Sequence, residues 1–437
     1  MALPQLRGQR ARRLGWGVAD QAVSSLTNFA LVIYVARTLG AAQLGAFSLA
    51  YVTYGFALNA SRGLATAPLQ VRFAGVDLPT WRRAVASCTG TATVVGLASG
   101  VCALAAAALL HGATGVSFLA LGLTLPGLLL QDSWRYSFFA LGRGGQAFLS
   151  DVVWAGALVP TLMVLHITHH GSLFWLVLAW GATATLAAAV GPLQARVIPR
   201  LSGTKGWLSQ QRDLGPRYLV EGTSQNASEQ LRTYDRSLML GLAAVGYLRT
   251  ATTLMGPFQV ILYSSSLVLV PEAARILRRS PRRLPLVCLL MSGGLAVAGL
   301  AWGVVLLVAL PRGIGGLLLG PIWRPTYPLL LPTTLLIMAQ AVNAGAAAGL
   351  HALGAARRSL PAGVFASCAS LVGAVVGAAE GGAVGTVNGS TVGTVVAGLF
   401  WWWQLRAALR ESGVRRDHNW FGFQRPPGRH RSPAVVG

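Results

Sequence analysis

Long apolar runs recur along nearly the whole chain of 437 residues and constrain its fold more than any other feature. About twenty consecutive apolar residues cross the hydrocarbon core of a bilayer as an α-helix. Eleven segments meet this description, at about 16–36, 44–66, 84–110, 115–141, 147–168, 172–194, 250–270, 284–310, 325–350, 360–379 and 384–405. The sequence therefore predicts an all-α, multi-pass membrane protein.

The net charge of +23 would indicate a nucleic-acid ligand in a soluble protein. Here the basic residues lie in the short connections between the apolar runs, where they indicate membrane topology. We therefore predict no nucleic-acid partner.

A twelfth crossing is predicted at 219–241, LVEGTSQNASEQLRTYDRSLMLG, although this segment contains five charged side chains. Basic connections on one side of a membrane must be separated by an even number of crossings. With this segment as the seventh helix, 28 of the 35 basic residues lie inside and only Arg37, Arg249, Arg312 and Arg324 lie outside. Since cytoplasmic loops are rich in Lys and Arg, this arrangement places both termini in the cytoplasm.

Residues of the two halves of the chain match at an offset of 201. Asp20 matches Glu221, Gly40 matches Gly241, and Gly45 matches Gly246. We predict 12 transmembrane helices in two six-helix lobes, 1–205 and 206–410, related by a parallel pseudo-repeat with a cleft between them. The remaining segment, 411–437, is predicted to be a disordered basic cytoplasmic tail.

Polar side chains that share one face of the first, second and seventh helices predict an aqueous cleft, because an isolated charge in lipid costs roughly 2.5–3.5 kcal/mol. Since Arg binds phosphate oxygens through its planar fork, a cationic site for a diphosphate headgroup is predicted. Its residues are Arg62, Arg232, Arg236, Asn28, Asn59 and Gln225. The acidic residues Asp20, Glu221, Glu229 and Asp235 are the candidates for coupling to a proton or Na⁺ gradient.

Intramembrane ion pairing is the alternative explanation of these charges. Glu229 and Asp235 each lie three residues from Arg232, so these pairs could serve only to hold the lobes together. Asp132 and Arg135 have the same spacing, and we predict a structural pair there. Asp151 is expected to pair with Arg143.

Other chemistry finds little support in the sequence. The four cysteines lie inside apolar runs without CxxC spacing, and the histidines of HITHHG (166–171) lie in a short external loop, so no metal site is predicted. No connection is long enough for a nucleotide-binding or glycosyltransferase-like domain. We therefore predict a protein that is not an enzyme and has no cofactor.

Several segments resemble bacterial polysaccharide-biosynthesis flippases. LTNFALVIYVARTLGAAQLGAFSLA resembles their first-helix signature, with Ala36-Arg37-Thr38-Leu39-Gly40 followed by Gly45. LLLGPIWRPTYPLLLPTTLLIMAQAVNAGAAAGLHALGAARRS resembles their ninth-loop and tenth-helix region, and LPGLLLQDSWRYSFFALGRGGQAFLSDVVW is similar to their fourth and fifth helices. The resemblance implies the multidrug/oligosaccharidyl-lipid/polysaccharide exporter superfamily, with twelve helices, two lobes and alternating access.

The same resemblance implies a function in the bacterial plasma membrane. The expected activity is flipping of a polyprenyl-diphosphate-linked oligosaccharide for cell-surface polysaccharide synthesis. The expected partners are membrane lipid, a polysaccharide polymerase and glycosyltransferases. Two alternatives stay open: a drug/cation antiporter of the same superfamily, and a non-transporting scaffold of a polysaccharide assembly complex. A net acidic or apolar cavity would favour the antiporter.

Overall fold

The protein is all-helical in the computed structural model, which describes residues 3–74, 76–279 and 283–414. The helices of the first half are α1 (Leu3–Leu39), α2 (Ala41–Ser61), α3 (Ala67–Arg72), α4 (Leu78–Leu109), α5 (Gly112–Ala140), α6 (Gly144–Ile167), α7 (Leu173–Ala188) and α8 (Val190–Ala195). Those that follow are α9 (Thr204–Gln210), α10 (Gly215–Leu254), α11 (Gly256–Arg279), α12 (Leu284–Ala309), α13 (Ile314–Leu319), α14 (Trp323–Ala352) and α15 (Ala356–Val414). A π-helical turn, Arg62–Thr66, joins α2 to α3.

Nine helices in the described ranges are long and apolar enough to cross a membrane, or ten when a pair bent by 61° between α10 and α11 counts as one span. The predicted number was twelve. Part of the difference lies in α15, whose apolar stretch Arg357–Glu411 counts once although it is 55 residues long. The rest lies in the first part of α10, where the predicted seventh span falls largely on side chains outside the described part of the chain. The fold is that of a multi-pass membrane protein.

The backbone of α15 breaks at two glycines, Gly381 (φ −139°) and Gly382 (φ 59°, ψ −137°). The two arms then pack against each other so closely that a Cβ atom at Gly377 would lie 2.0 Å from the carbonyl oxygen of Gly385. Such an approach requires glycine. The chain therefore reverses direction at the break, and α15 is a helical hairpin.

Helices α2 and α10 pack extensively on each other and join the two halves of the chain. Within the first half, α5 packs on α4, α7 and α2; within the second half, α14 packs on α12, α15 and α11. The largest continuous hydrophobic core includes side chains from both halves. Lipid-facing positions, such as Val101 and Met163, are exposed.

The junction between α2 and α10 is built the same way from both sides. Gly40 precedes α2 with φ 81° and ψ 179°, and Gly241, 201 residues later, interrupts α10 with φ 79° and ψ 168°. A Cβ atom at Gly45 would lie 1.9 Å from the Leu242 carbonyl oxygen, and one at Gly246 would lie 2.0 Å from the Ala41 carbonyl oxygen. Gly45 and Gly246 are 201 residues apart, and so are their partners Ala41 and Leu242. A rotation that exchanges the two helices therefore also exchanges the two contacts, as a local twofold axis requires.

Candidate functional site

A cavity of about 770 Å³ opens where the two halves of the chain meet. Helices α1 and α2 form one wall, and α10, α11 and α14 form the other. The polar side chains of its lining are mainly amides and hydroxyls: Gln21, Ser25, Asn28, Ser48, Tyr51, Thr233, Thr252, Thr253, Gln259, Thr333 and Gln340. Apolar side chains, among them Phe29, Leu248 and Ile337, form the other half of the lining. The cavity is therefore suited to a ligand that has both polar and apolar parts.

Arg236 and Arg249 are the charged residues among the described residues that line this cavity. No Asp or Glu occurs among the described residues that line it. Arg236 and Asn28 are sequence-predicted site residues that lie here. Arg249 lines the cavity without a carboxylate partner among the described residues, in contrast to the acidic lining expected of a cation transporter.

The predicted topology places Arg249 outside the predicted spans, whereas the structure places it within α10, where it lines the cavity. The apolar run begins at 250, but α10 continues without interruption through Arg249 to Leu254 and so turns this side chain into the cavity. Its guanidinium carbon lies 4.6 Å from the centroid of the Tyr51 ring. Its Nε has no hydrogen-bond partner, and no carboxylate of the described residues pairs with it. The helical continuity of 242–254 is the signal that could have identified it.

A second polar site, which we call the charge cluster, lies within the first half of the chain. It consists of Asp20 of α1, Arg62 of the π-helical turn, Asp132 and Arg135 of α5, and Asp151 of α6. The three carboxylates are buried. Three carboxylates against two guanidinium groups leave one formal negative charge when all five residues are ionised.

Arg62 is held by Asp132 through two parallel hydrogen bonds, Nε to Oδ2 at 2.9 Å and Nη2 to Oδ1 at 2.7 Å. Its guanidinium also lies over the Tyr136 ring, 4.6 Å from the centroid. Such a bidentate pair uses the fork that would otherwise bind phosphate. The prediction that Arg62 offers its guanidinium to a diphosphate is therefore wrong for this conformation, in which Arg62 does not line the cavity.

Arg135 binds three carboxylates at once. It donates to Asp20 Oδ2, and its Nε lies 3.0 Å from Asp151 Oδ1. The predicted pair with Asp132 is present, at 3.7 Å. The predicted Asp151–Arg143 pair is wrong, because α6 turns Asp151 towards α5, where Gln131 also donates to it at 2.8 Å.

Aromatic side chains lie between the cavity and the charge cluster. Tyr51, which stacks with Arg249, lies 5.7 Å from the buried ring of Trp180, and Tyr54 meets the same ring edge-on at 5.1 Å. This group is not among the predicted site residues; the signal that could identify it is the helical spacing of Phe47, Tyr51 and Tyr54 along α2.

None of the remaining predicted site residues is seen to line the cavity. Asn59 is half-buried and does not line the cavity. The side chains of Glu221, Gln225, Glu229, Arg232 and Asp235 lie outside the described part of the structure, as do residues 415–437 of the predicted tail. Among the described residues, no group of His, Cys, Asp and Glu could hold a metal ion.

No protein-family model matches this sequence, and no curated protein matches it. Solved structures do match. The lipid II flippase MurJ in an inward closed conformation superposes with a TM-score of 0.68 at 11% identity, over 92% of this chain and 90% of that one. An inward-facing multidrug resistance MATE family transporter of the MOP superfamily gives 0.66 at 14% identity, over 91% and 99%.

The chain has the fold of these transporters. At such low identity, the likeness establishes the fold alone. An outward-facing MATE family transporter of the same superfamily gives a lower TM-score of 0.56, at 14% identity and over 91% and 94% of the two chains. The arrangement of helices in this protein is therefore more similar to the inward-facing form than to the outward-facing one.

Proposed function

We propose that the protein is a flippase that moves a polyprenyl-diphosphate-linked oligosaccharide across the bacterial plasma membrane by alternating access, for cell-surface polysaccharide synthesis. The observation that supports it best is that the guanidinium of Arg249 lines the cavity with no carboxylate partner among the described residues. Arg236 and Arg249 line it, and no carboxylate occurs among its described lining residues. Guanidinium groups bind phosphate oxygens through charge-assisted hydrogen bonds that can be bidentate.

The other lining residues suit the rest of such a headgroup. Sugar hydroxyls donate and accept hydrogen bonds, as do the amides of Gln21, Asn28, Gln259 and Gln340 that line the cavity. The polyprenyl chain is apolar and would stay in the hydrocarbon core of the bilayer, which already shields it from water. The headgroup alone would therefore cross through the cavity.

A drug/cation antiporter is the second candidate. A volume of about 770 Å³ lies within the range of drug-sized ligands, and MATE transporters share this fold. A cationic drug would, however, meet the guanidinium of Arg249, which has no carboxylate partner among the described residues. This guanidinium therefore favours an anionic cargo. A non-transporting scaffold would leave these side chains without a role.

The charge cluster, in which Arg135 binds Asp20, Asp132 and Asp151, is the proposed coupling site. Its single excess negative charge can be balanced by a proton. Asp20 Oδ1 and Asp151 Oδ2 are buried and have no hydrogen-bond partner among the described residues, so either oxygen could accept a proton. The aromatic residues Tyr51, Trp180 and Tyr54 would connect a change in the cluster to the cavity.

The proposed architecture has twelve spans in two halves, 1–205 and 206–410, with both termini cytoplasmic. The reciprocal contacts of Gly45 and Gly246 support a parallel repeat, and the hairpin in α15 supports two crossings where apolarity alone counts one. Partners in this proposal are a polysaccharide polymerase and glycosyltransferases, which would consume and supply the cargo.

Transport in reconstituted vesicles tests the function. Fluorescent polyprenyl-diphosphate oligosaccharide is placed in both leaflets, and the fraction accessible to an external reductant is followed over time. The proposal expects complete accessibility with the protein and about half without it. Uptake of an ethidium-like cation by the same vesicles, with no flipping of the glycolipid, would favour the antiporter instead. Inactivity in both assays would contradict both transport functions.

A further inference from the structure

The connection between the two halves of the chain, residues 196–214, is fixed to the first half along its length; we call it the strap. The Arg200 backbone N–H donates to the Ala86 carbonyl at 2.8 Å. The Trp207 indole N–H donates to the Leu64 carbonyl at 3.0 Å, and its buried ring stacks on Phe73 at 5.8 Å. These contacts hold the inner face of the strap against α2 to α4.

The end of the strap is fixed as well. Arg72 of α3 forms an ion pair with Asp213 at 2.5 Å and donates to Gln211 Oε1 at 2.8 Å. With both ends and the middle held, the strap cannot turn over to hide its outer face.

That outer face combines apolar and basic side chains. Ile198 is 78% exposed, Leu201 50% and Leu208 38%. The basic side chains of Arg196, Arg200, Lys205 and Arg212 are exposed between them, and none forms an ion pair with a described carboxylate. From 196 to 212, the sequence has no acidic residue. Isolated exposed apolar residues are ordinary, but one isoleucine and two leucines that alternate with four cations form an amphipathic surface.

The strap follows an apolar span, Leu173–Ala195, without an intervening spacer, and α10 begins at Gly215 directly after it. It therefore lies at the level where the bilayer ends. At this depth, apolar side chains enter the boundary between headgroups and acyl chains while Lys and Arg meet lipid phosphates. We infer that the strap binds anionic lipid at the membrane surface through Arg196, Arg200 and Lys205, with Ile198 and Leu201 inserted beside them. This inference does not depend on the proposed transport function.

Quenching by brominated lipid tests the inference on the full-length protein. A bimane label is attached to Leu201→Cys, in a background where the exposed cysteines Cys102 and Cys368 are alanine. Phosphatidylcholine vesicles receive increasing mole fractions of brominated phosphatidylglycerol, or of brominated phosphatidylcholine as the neutral probe. We expect saturable quenching at low mole fraction with the anionic lipid only. Sodium glycerophosphate should reverse it no more than NaCl of equal ionic strength, which separates a lipid from a soluble phosphate.

Two matched triple variants identify the charges responsible. Arg196→Gln/Arg200→Gln/Lys205→Gln should raise the half-quenching mole fraction by at least fivefold, since each basic residue near an anionic surface contributes about that factor. Arg357→Gln/Arg406→Gln/Arg410→Gln removes three exposed charges elsewhere and should change it less than twofold. Equal effects of the two triples, equal quenching by both lipids, or no quenching by either would each contradict the inference. The absence of quenching by either lipid would instead indicate that the outer face of the strap binds a protein.

Discussion

The guanidinium of Arg249 lies 4.6 Å from the centre of the Tyr51 ring, and the two residues belong to different halves of the chain. Arg249 comes from α10 and Tyr51 from α2, on opposite walls of the cavity. A cation over an aromatic face contributes about 0.5–2 kcal/mol, depending on its exposure to water. A relative movement of the two halves would separate this pair, so the charge offered to a ligand depends on the conformation of the protein.

The crossing of α2 and α10 should tolerate no side chain at either glycine. Gly45→Ala and Gly246→Ala would each place a Cβ atom within about 2 Å of a backbone carbonyl. We expect each to destabilise the protein by roughly 1–3 kcal/mol through overpacking, and by similar amounts because the contacts are equivalent. Thermal unfolding in detergent measures this. Gly156→Ala is the control, since a Cβ there has nothing within 4 Å. Wild-type stability of either crossing variant would contradict the close packing.

Arg135 should be essential to the stability of the charge cluster. Arg135→Gln leaves three buried carboxylates with only Arg62 to balance them, and removal of one partner of a buried ion pair typically costs about 3–5 kcal/mol. The double variant Arg135→Gln/Asp151→Asn should recover part of this loss, as a double-mutant cycle on unfolding would measure. Arg143→Gln is the matched control, because Asp151 pairs with Arg135 and not with Arg143. A larger loss in Arg143→Gln than in Arg135→Gln would refute the assignment.

These two sites show what the sequence can predict. The apolar runs locate most of the helices, and the offset of 201 pairs Gly40 with Gly241, because local periodicity and glycine positions are properties of single segments. The partners of Arg62 and Asp151 could not be predicted in this way. They depend on how α2, α5 and α6 rotate against each other, which spacing within one helix does not determine.

Arg249 illustrates the other limit. Hydropathy places a boundary where apolar residues begin, at 250, but the helical backbone of α10 extends past that boundary. Because a polar residue at the edge of an apolar run can lie on a continuous helix, it can face a cavity that hydropathy does not detect.

Protonation of Asp77 should weaken the start of α4. Its carboxylate accepts a hydrogen bond from the Thr80 backbone N–H at 3.0 Å, which lowers the pKa of Asp77. A lowered folded-state pKa means that the cap stabilises the protein above the unfolded value of about 3.9, and that this contribution is lost as the pH falls through the folded value. The melting temperature of wild type should therefore exceed that of Asp77→Ala at pH 7, by a margin that shrinks near pH 3. A margin independent of pH would show that the charge is irrelevant.

The turn of the α15 hairpin should face the outside of the cell. Single cysteines replace Glu380, beside the break, and Arg357, at the start of the helix, in the Cys102→Ala/Cys368→Ala background. A membrane-impermeant maleimide added to intact cells should label Glu380→Cys, whereas Arg357→Cys should react only after permeabilisation. The opposite pattern would invert the proposed topology. An unreactive Glu380→Cys would place the break inside the membrane.

The central claim is that the cavity recognises a diphosphate through Arg249, and flipping by Arg249→Gln tests it most directly. Vesicles receive either a polyprenyl-diphosphate oligosaccharide or a neutral polyprenyl glycoside with the same sugars. Hydrogen bonds to charged groups contribute about 1.5–3 kcal/mol, so Arg249→Gln should slow flipping of the diphosphate lipid by about tenfold to a hundredfold. Arg312→Gln, at an exposed arginine outside the cavity, should retain the wild-type rate. Undiminished flipping of the diphosphate lipid by Arg249→Gln, or equal slowing of both lipids, would contradict the claim.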